Sequence, residues 1–286
     1  MDALLLGLGA ALLWGFHDFT VRIIGARINP LVLLAGVFLT GVVVLAPFTS
    51  GSDWASLRGT SLALALLAGV AYTGAGYGLY RAFAIGPVYL VAPICGAFPL
   101  ISVGLELARG GSAGLATWAG AVVILGGIAL VARSADHGDM AGSRNEAIGW
   151  AVLGCFGFAF TFALSQWASE SGAHLPVTLT ARITASLTAL AAIAFFRPAI
   201  TPTLRAWRPM LLMGVLDVGA LTLVTLAGGM ANSEYASVAA SIFGVVTILL
   251  AWRFLGERLG PVQWLGCLLV FSGIVVLGLS GHGGHG

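Results

Sequence analysis

A run of about twenty apolar residues recurs along this chain with only short polar breaks, and that recurrence leaves few folds open. An α-helix rises about 1.5 Å per residue, so such a run spans the ~30 Å hydrocarbon core of a bilayer. Ten runs can be read: Ala3–Ile24, Pro30–Phe48, Leu62–Phe83, Pro87–Leu107, Leu115–Ala132, Ala147–Ala168, Pro176–Phe196, Met210–Met230, Tyr235–Leu255 and Pro261–Leu279. The breaks carry turn chemistry, as at Asn29-Pro30, Gly51-Ser52-Asp53, Gly86-Pro87, Arg197-Pro198 and Gly260-Pro261. Proline is tolerated in a first helical turn, where its missing N–H costs nothing. A transmembrane β-barrel would need alternating strands about half this length. The expected fold class is therefore an all-α integral membrane protein with ten transmembrane helices. The first run has no basic segment before it, which reads as a membrane span rather than a cleavable signal.

Composition agrees. Only 8% of the 286 residues are charged, against roughly 25% in a soluble domain. That excludes a water-soluble enzyme, a nucleic-acid binder and a disordered chain. With 13 arginines, no lysine and a net charge of +2, there is no polybasic field to draw in nucleic acid. The partners expected are the lipid bilayer and a small molecule.

The longest polar break, residues 133–146, divides five runs from five. Shifting the sequence by 146 residues superposes the halves without a gap. Gly110, Gly114, Trp118, Gly120, Gly127 and Ile128 then meet Gly256, Gly260, Trp264, Gly266, Gly273 and Ile274. Phe16 meets Phe162, Pro30 meets Pro176 and Trp14 meets Phe160. The chain divides into a first repeat at 1–133, a polar linker at 134–146, a second repeat at 147–280 and a tail at 281–286. An odd number of helices per repeat sends the second copy in from the opposite face. That is a 5+5 inverted-topology repeat, an arrangement common in secondary transporters, whose substrate site lies near the midplane between the halves.

With both termini on side O, the opposite side I collects ten arginines in its breaks, while side O has only Arg58 and Arg109. Basic loops stay cytoplasmic, so the termini are expected to be periplasmic. Ionisable groups within the spans are functional candidates by default. His17, Asp18 and Arg81 approach side I on the first and third spans, and Asp217 lies about 10 Å below it on the eighth. Asp18, Arg81 and Asp217 are expected either to form a gate at the side I end or to be hydrated helix-end groups. Arg182, counted from side O, is expected not to meet Asp18 or Asp217. It would snorkel to the interface or pair with Glu106 or Glu170.

Cys95, Cys155 and Cys267 lie in apolar stretches and read as small buried hydrophobes. The tail histidines, His282 and His285, have no further ligand nearby, so no metal site is expected. No phosphate-binding glycine motif is present, no nucleophile–base pair stands out, and no cofactor is expected.

The segment Ala236–Gly278 carries a Leu255-Gly256-Glu257-Arg258 turn followed by Gln263-Trp264-Leu265-Gly266 and Gly273-Ile274. It resembles the closing part of an EamA domain, and Ala82–Val131 repeats the pattern in the first half. Pro99 and Trp14-Gly15 also suit the family. Gly111 occupies the slot of Glu257, which makes Glu257 a turn and helix-end residue rather than a substrate ligand. The resemblance is to the ten-helix EamA branch of the drug/metabolite transporter (DMT) superfamily, nearest to YddG-type exporters of aromatic amino acids. It implies a cavity lined by the first, third, fourth, sixth, eighth and ninth helices, and export of a small metabolite by alternating access in a bacterial inner membrane. An amino acid with a bulky apolar side chain is the substrate expected. The alternatives are drugs, nucleobases or sugars, and, in another class, a membrane-embedded enzyme or sensor. For such a substrate Trp14, Tyr72, Phe98, Phe160 and Phe243 would form the apolar pocket. His17, Tyr77, Tyr80 and a helix broken near Gly96 and Pro99 would meet the charged end.

Overall fold

The computed structural model describes residues 3–25, 27–110, 112–134, 141–170, 172–200, 205–228 and 239–280. Among these described residues eleven α-helices follow in order: α1 (Ala3–Ile24), α2 (Pro30–Leu45), α3 (Thr60–Ile85), α4 (Val88–Gly96), α5 (Phe98–Ala108), α6 (Leu115–Ser134), α7 (Arg144–Ser169), α8 (His174–Phe196), α9 (Trp207–Gly228), α10 (Phe243–Leu250) and α11 (Pro261–Ser280). A π-helical turn, Ala251–Leu255, continues α10. Among the described residues there is no β-strand, and nine helical segments are long and apolar enough to cross a membrane, with a shorter apolar helix at Ala239–Leu255. Parts of the eighth and ninth expected spans, and the tail histidines, lie outside the described residues.

The fourth span is broken, and the break has a cause. Pro93 stands inside α4 and Pro99 opens α5, and neither can donate a backbone N–H to the helical ladder. Ala97 turns out of the helix at φ −78°, ψ 7°. The second half turns at almost the corresponding place, at Ile242 with φ −81°, ψ 6°. A discontinuous helix at mid-depth exposes backbone polar groups, which a membrane tolerates only where they are buried in protein or face a cavity.

Helix ends show that α3 runs antiparallel to α7, and α11 to α6, across the two halves. Ser61 at the start of α3 donates to the Ala168 carbonyl at the end of α7 (2.6 Å). At the other side, Gln263 at the start of α11 donates to the Ser134 carbonyl at the end of α6 (2.6 Å). The packing follows the pseudo-twofold relation: α3 lies on α7, and its counterpart α9 lies on α1, while α6 pairs with α11. Glycine makes these approaches possible. A Cβ at Gly127 would stand 2.7 Å from the Gly266 carbonyl oxygen, and one at Gly273 would stand 2.9 Å from that of Gly120. At Gly157 a Cβ would fall within 2.8 Å of three Ala75 atoms. Helices in lipid associate through small residues of this kind, because lipid tails supply no hydrophobic drive between them.

The outer surface carries large apolar side chains such as Val43, Val122, Leu187 and Leu268, which suits contact with acyl chains. Hydroxyl groups inside the spans are satisfied locally: Thr40, Thr161, Thr184 and Thr222 each donate to the carbonyl four residues earlier, the usual solution where no water is present. All three cysteines are buried and free. The protein is thus an all-α, multi-pass membrane protein built from a 5+5 inverted repeat.

Candidate functional site

Between the two halves lies a cavity of about 330 Å³. It reaches from Ser165, Thr178 and Val224, about one turn from the side O ends of their helices, to Leu34 and Tyr80 near side I. Its wall is aromatic for much of its extent. Trp14 meets Phe243 edge-on at 6.1 Å, Tyr72 lies 4.7 Å from Phe38, and Phe98 lies 5.0 Å from Phe162, which stacks on Phe158.

The polar groups gather at mid-depth. Arg182 on α8 and Asp217 on α9 form an ion pair, with Arg182 Nη2 2.8 Å from Asp217 Oδ2. Both are nearly sealed, at 3% and 5% exposure. Asp217 also accepts from Trp14 Nε1 (3.1 Å) and from the Tyr72 hydroxyl (3.1 Å to Oδ2). An isolated buried carboxylate would be very costly, whereas one that is paired and fully hydrogen-bonded is sustainable. A second cluster lies on α1 and α3: His17 Nδ1 is 2.9 Å from Asp18 Oδ1, and His17 Nε2 is 3.1 Å from the Tyr80 hydroxyl.

Of the expected pocket residues, Trp14, His17, Tyr72, Tyr80, Phe98 and Phe243 line the cavity. Tyr77 and Phe160 do not. Tyr77 meets Trp150 at 5.3 Å, edge to face, and Phe160, 42% exposed, is on the lipid-facing side of α7. Phe158 and Phe162 take its place. The repeat pairs Trp14 with Phe160 in sequence, but pseudo-symmetry of the backbone does not oblige both side chains to face one cavity. Phe158 and Phe162 are four residues apart and share a helix face, a spacing legible in the sequence.

Asp18 and Asp217 also line the cavity, but Arg81 joins neither. Its Nη2 lies 3.3 Å from Glu146 Oε1, and its guanidinium lies over Trp150. The partner of Asp217 is Arg182, which was expected to be out of reach. Glu170 is paired instead with Arg109, at 3.4 Å. The expectation failed on depth. Asp217 is ten residues into α9, which begins at Trp207, and Arg182 is eight residues into α8 from the opposite side. Both therefore sit near the midplane, and the long arginine side chain closes the remainder.

Towards side I, beyond the cavity, a different network joins four segments. Arg22 at the end of α1 binds Glu257 Oε1 (2.8 Å) and donates to the Phe83 carbonyl (2.7 Å). Glu257 Oε2 accepts from the Val88 N–H (2.8 Å) at the start of α4, where free N–H groups and the helix dipole favour a carboxylate. Glu257 is thus a helix-end residue, as its place in the turn implied. Its link to Arg22 was not legible, because the two are far apart in sequence.

Comparison with known proteins agrees with this architecture. A solved crystal structure covers 96% of this chain, and 95% of its own, with a TM-score of 0.65 and 18% sequence identity, a likeness of fold. No curated protein matches significantly. The model of the EamA-like transporter family matches residues 1–133 and again 145–279. The chain therefore belongs to the EamA-like transporter family, within the DMT superfamily.

Proposed function

We propose that this transporter exports amino acids with bulky apolar side chains from a bacterial cell, across the inner membrane, by alternating access. The observation that carries this reading is the cavity itself. Its volume of about 330 Å³ is at the low end of the ~300–1,000 Å³ typical of ligand pockets, which favours a small metabolite over a drug-sized molecule. Aromatic walls supply apolar contact, the Arg182–Asp217 pair supplies charges of both signs, and His17 and Asp18 add further polar groups. A zwitterion adds no net charge to such a site, whereas leaving a charged end unpaired there would cost several kcal/mol.

In the exchange cycle one repeat rocks against the other around this fixed site. The gate on side I is the Arg22–Glu257–Val88 network, rather than an Asp18–Arg81–Asp217 cluster. The arginine bias makes side I cytoplasmic and the termini periplasmic. The test is exchange of radiolabelled phenylalanine in proteoliposomes against unlabelled phenylalanine, alanine, a nucleobase and a sugar. Exchange with phenylalanine and not with the nucleobase or sugar supports the assignment. The reverse preference removes it and leaves the fold and the family untouched.

A further inference from the structure

Arg182 is held by only part of its guanidinium. Nη2 binds Asp217, while Nε and Nη1 are buried with no hydrogen-bond partner among the described residues. An arginine paired with a carboxylate commonly uses two parallel N–H bonds. Here Asp217 cannot offer that geometry freely, because its oxygens also accept from Trp14 and Tyr72. A buried donor left without a partner is costly, because its desolvation is not repaid. Two of the three such buried nitrogens among the described residues belong to Arg182, which lines the central cavity; the third is Arg81 Nε. The structure also makes room at Arg182. A Cβ at Gly41 on α2 would stand 2.5 Å from Arg182 Nη1, so glycine there leaves the free nitrogen its space.

We propose that Arg182 anchors a carboxylate of the transported molecule, so that the cavity selects ligands joining a carboxylate to a bulky apolar group. This rests on, and narrows, the amino acid reading above. The donors that Asp217 leaves unused are buried, Nη1 against Gly41, and the guanidinium turns them to the incoming carboxylate. The apolar group lies among Tyr72, Phe158 and Phe162, with the Tyr72 ring 5.9 Å from the guanidinium carbon. Asp18, the second wall carboxyl group, offers an ammonium group a hydrogen-bond acceptor. Arg182 is thereby a specificity residue, where a residue serving only to neutralise Asp217 would be indifferent to the ligand's acid group.

The test compares acids with their amides on the unaltered protein, so it depends on no variant folding. Purified protein in nanodiscs is titrated with phenylalanine, phenylalaninamide, 3-phenylpropionate and 3-phenylpropionamide, and binding is read by calorimetry. Phenylalanine is expected to bind roughly tenfold or more tightly than its amide, the scale set by one charge-assisted hydrogen bond. Gly41→Ala, which pushes on the guanidinium without changing any charge, is expected to narrow that ratio. Equal affinity for each acid and its amide overturns the anchor. If phenylalanine does not bind but 3-phenylpropionate binds more tightly than 3-phenylpropionamide, the anchor stands and the amino acid reading falls. If no acid binds more tightly than its amide, the anchor falls.

Discussion

Trp14 joins the two kinds of chemistry in the cavity at a single side chain. Its indole nitrogen donates to Asp217 and its ring meets Phe243. An aromatic contact adds about 0.5–1.5 kcal/mol beyond area burial, which a phenylalanine side chain can collect and a methyl group cannot. Trp14→Ala is therefore expected to lower phenylalanine exchange about two- to tenfold more than alanine exchange. Trp14→Phe keeps a ring but removes the bond to Asp217, and should restore the preference for phenylalanine while altering flux of both substrates. Equal loss for both in Trp14→Ala would make the residue a structural partner of Asp217 only. At this scale the sequence was informative about residue type and poor about pairing. Trp14, His17, Asp18 and Asp217 stand out as polar or aromatic groups inside apolar spans. The Arg182–Asp217 bond does not, because it depends on where two oppositely directed helices begin, and a shift of three residues moves a side chain by about 4.5 Å.

The contacts between helices explain why the repeat shows through in the sequence. Gly120 with Gly273, and Gly127 with Gly266, are the points where α6 and α11 touch. These four glycines make up two of the identities between the halves, Gly120 with Gly266 and Gly127 with Gly273. Each half needs glycine there because the other half's backbone is against it, so the symmetry of the interface preserves the symmetry of the sequence. Gly127→Val would drive a side chain into the Gly266 carbonyl and the Val270 backbone nitrogen, neither of which can turn aside. Overpacking of this kind costs about 1–3 kcal/mol or more, and should appear as a lower unfolding temperature in detergent. Gly126→Ala on the same helix meets nothing within 4 Å and should leave that temperature unchanged. The end of α10 yields a second test. Glu257→Gln keeps the shape but removes the charge that binds Arg22 and caps α4. A charged hydrogen bond contributes about 1.5–3 kcal/mol, so losing one should raise, by roughly tenfold, the rate at which an impermeant thiol reagent on side I labels Leu34→Cys in a background without native cysteines. An unchanged rate, in folded protein, would leave the network a helix cap and not a gate.

For the whole molecule, the inverted repeat would make the two faces equivalent were it not for the residues that differ between copies. Shifted by 146 positions, Arg22 corresponds to Ala168 and Glu257 to Gly111. The two ionic partners that tie the side I ends together therefore have no charged counterparts in the sequence of side O. Such an asymmetry cannot drive export by itself, because a conformational equilibrium shifts only through differential free energy and an uncoupled carrier still equalises its substrate. Under the proposed alternating access it would make the states open to the two sides unequally populated, so the concentration for half-maximal flux should differ between them. What this means for the cell depends on orientation. Ten arginines in the side I breaks against two on side O are the basis, under the positive-inside rule, for the proposal that side I is cytoplasmic. On that proposed orientation the Arg22–Glu257 network, acting as the proposed gate, would face the cytoplasm and hold back entry from the cell's own metabolite pool until substrate tips the balance. A C-terminal alkaline phosphatase fusion should then be active and a C-terminal green fluorescent fusion dark. The reverse result would put the Arg22–Glu257 network at the periplasmic end, where it would restrain release to the outside instead of loading from within.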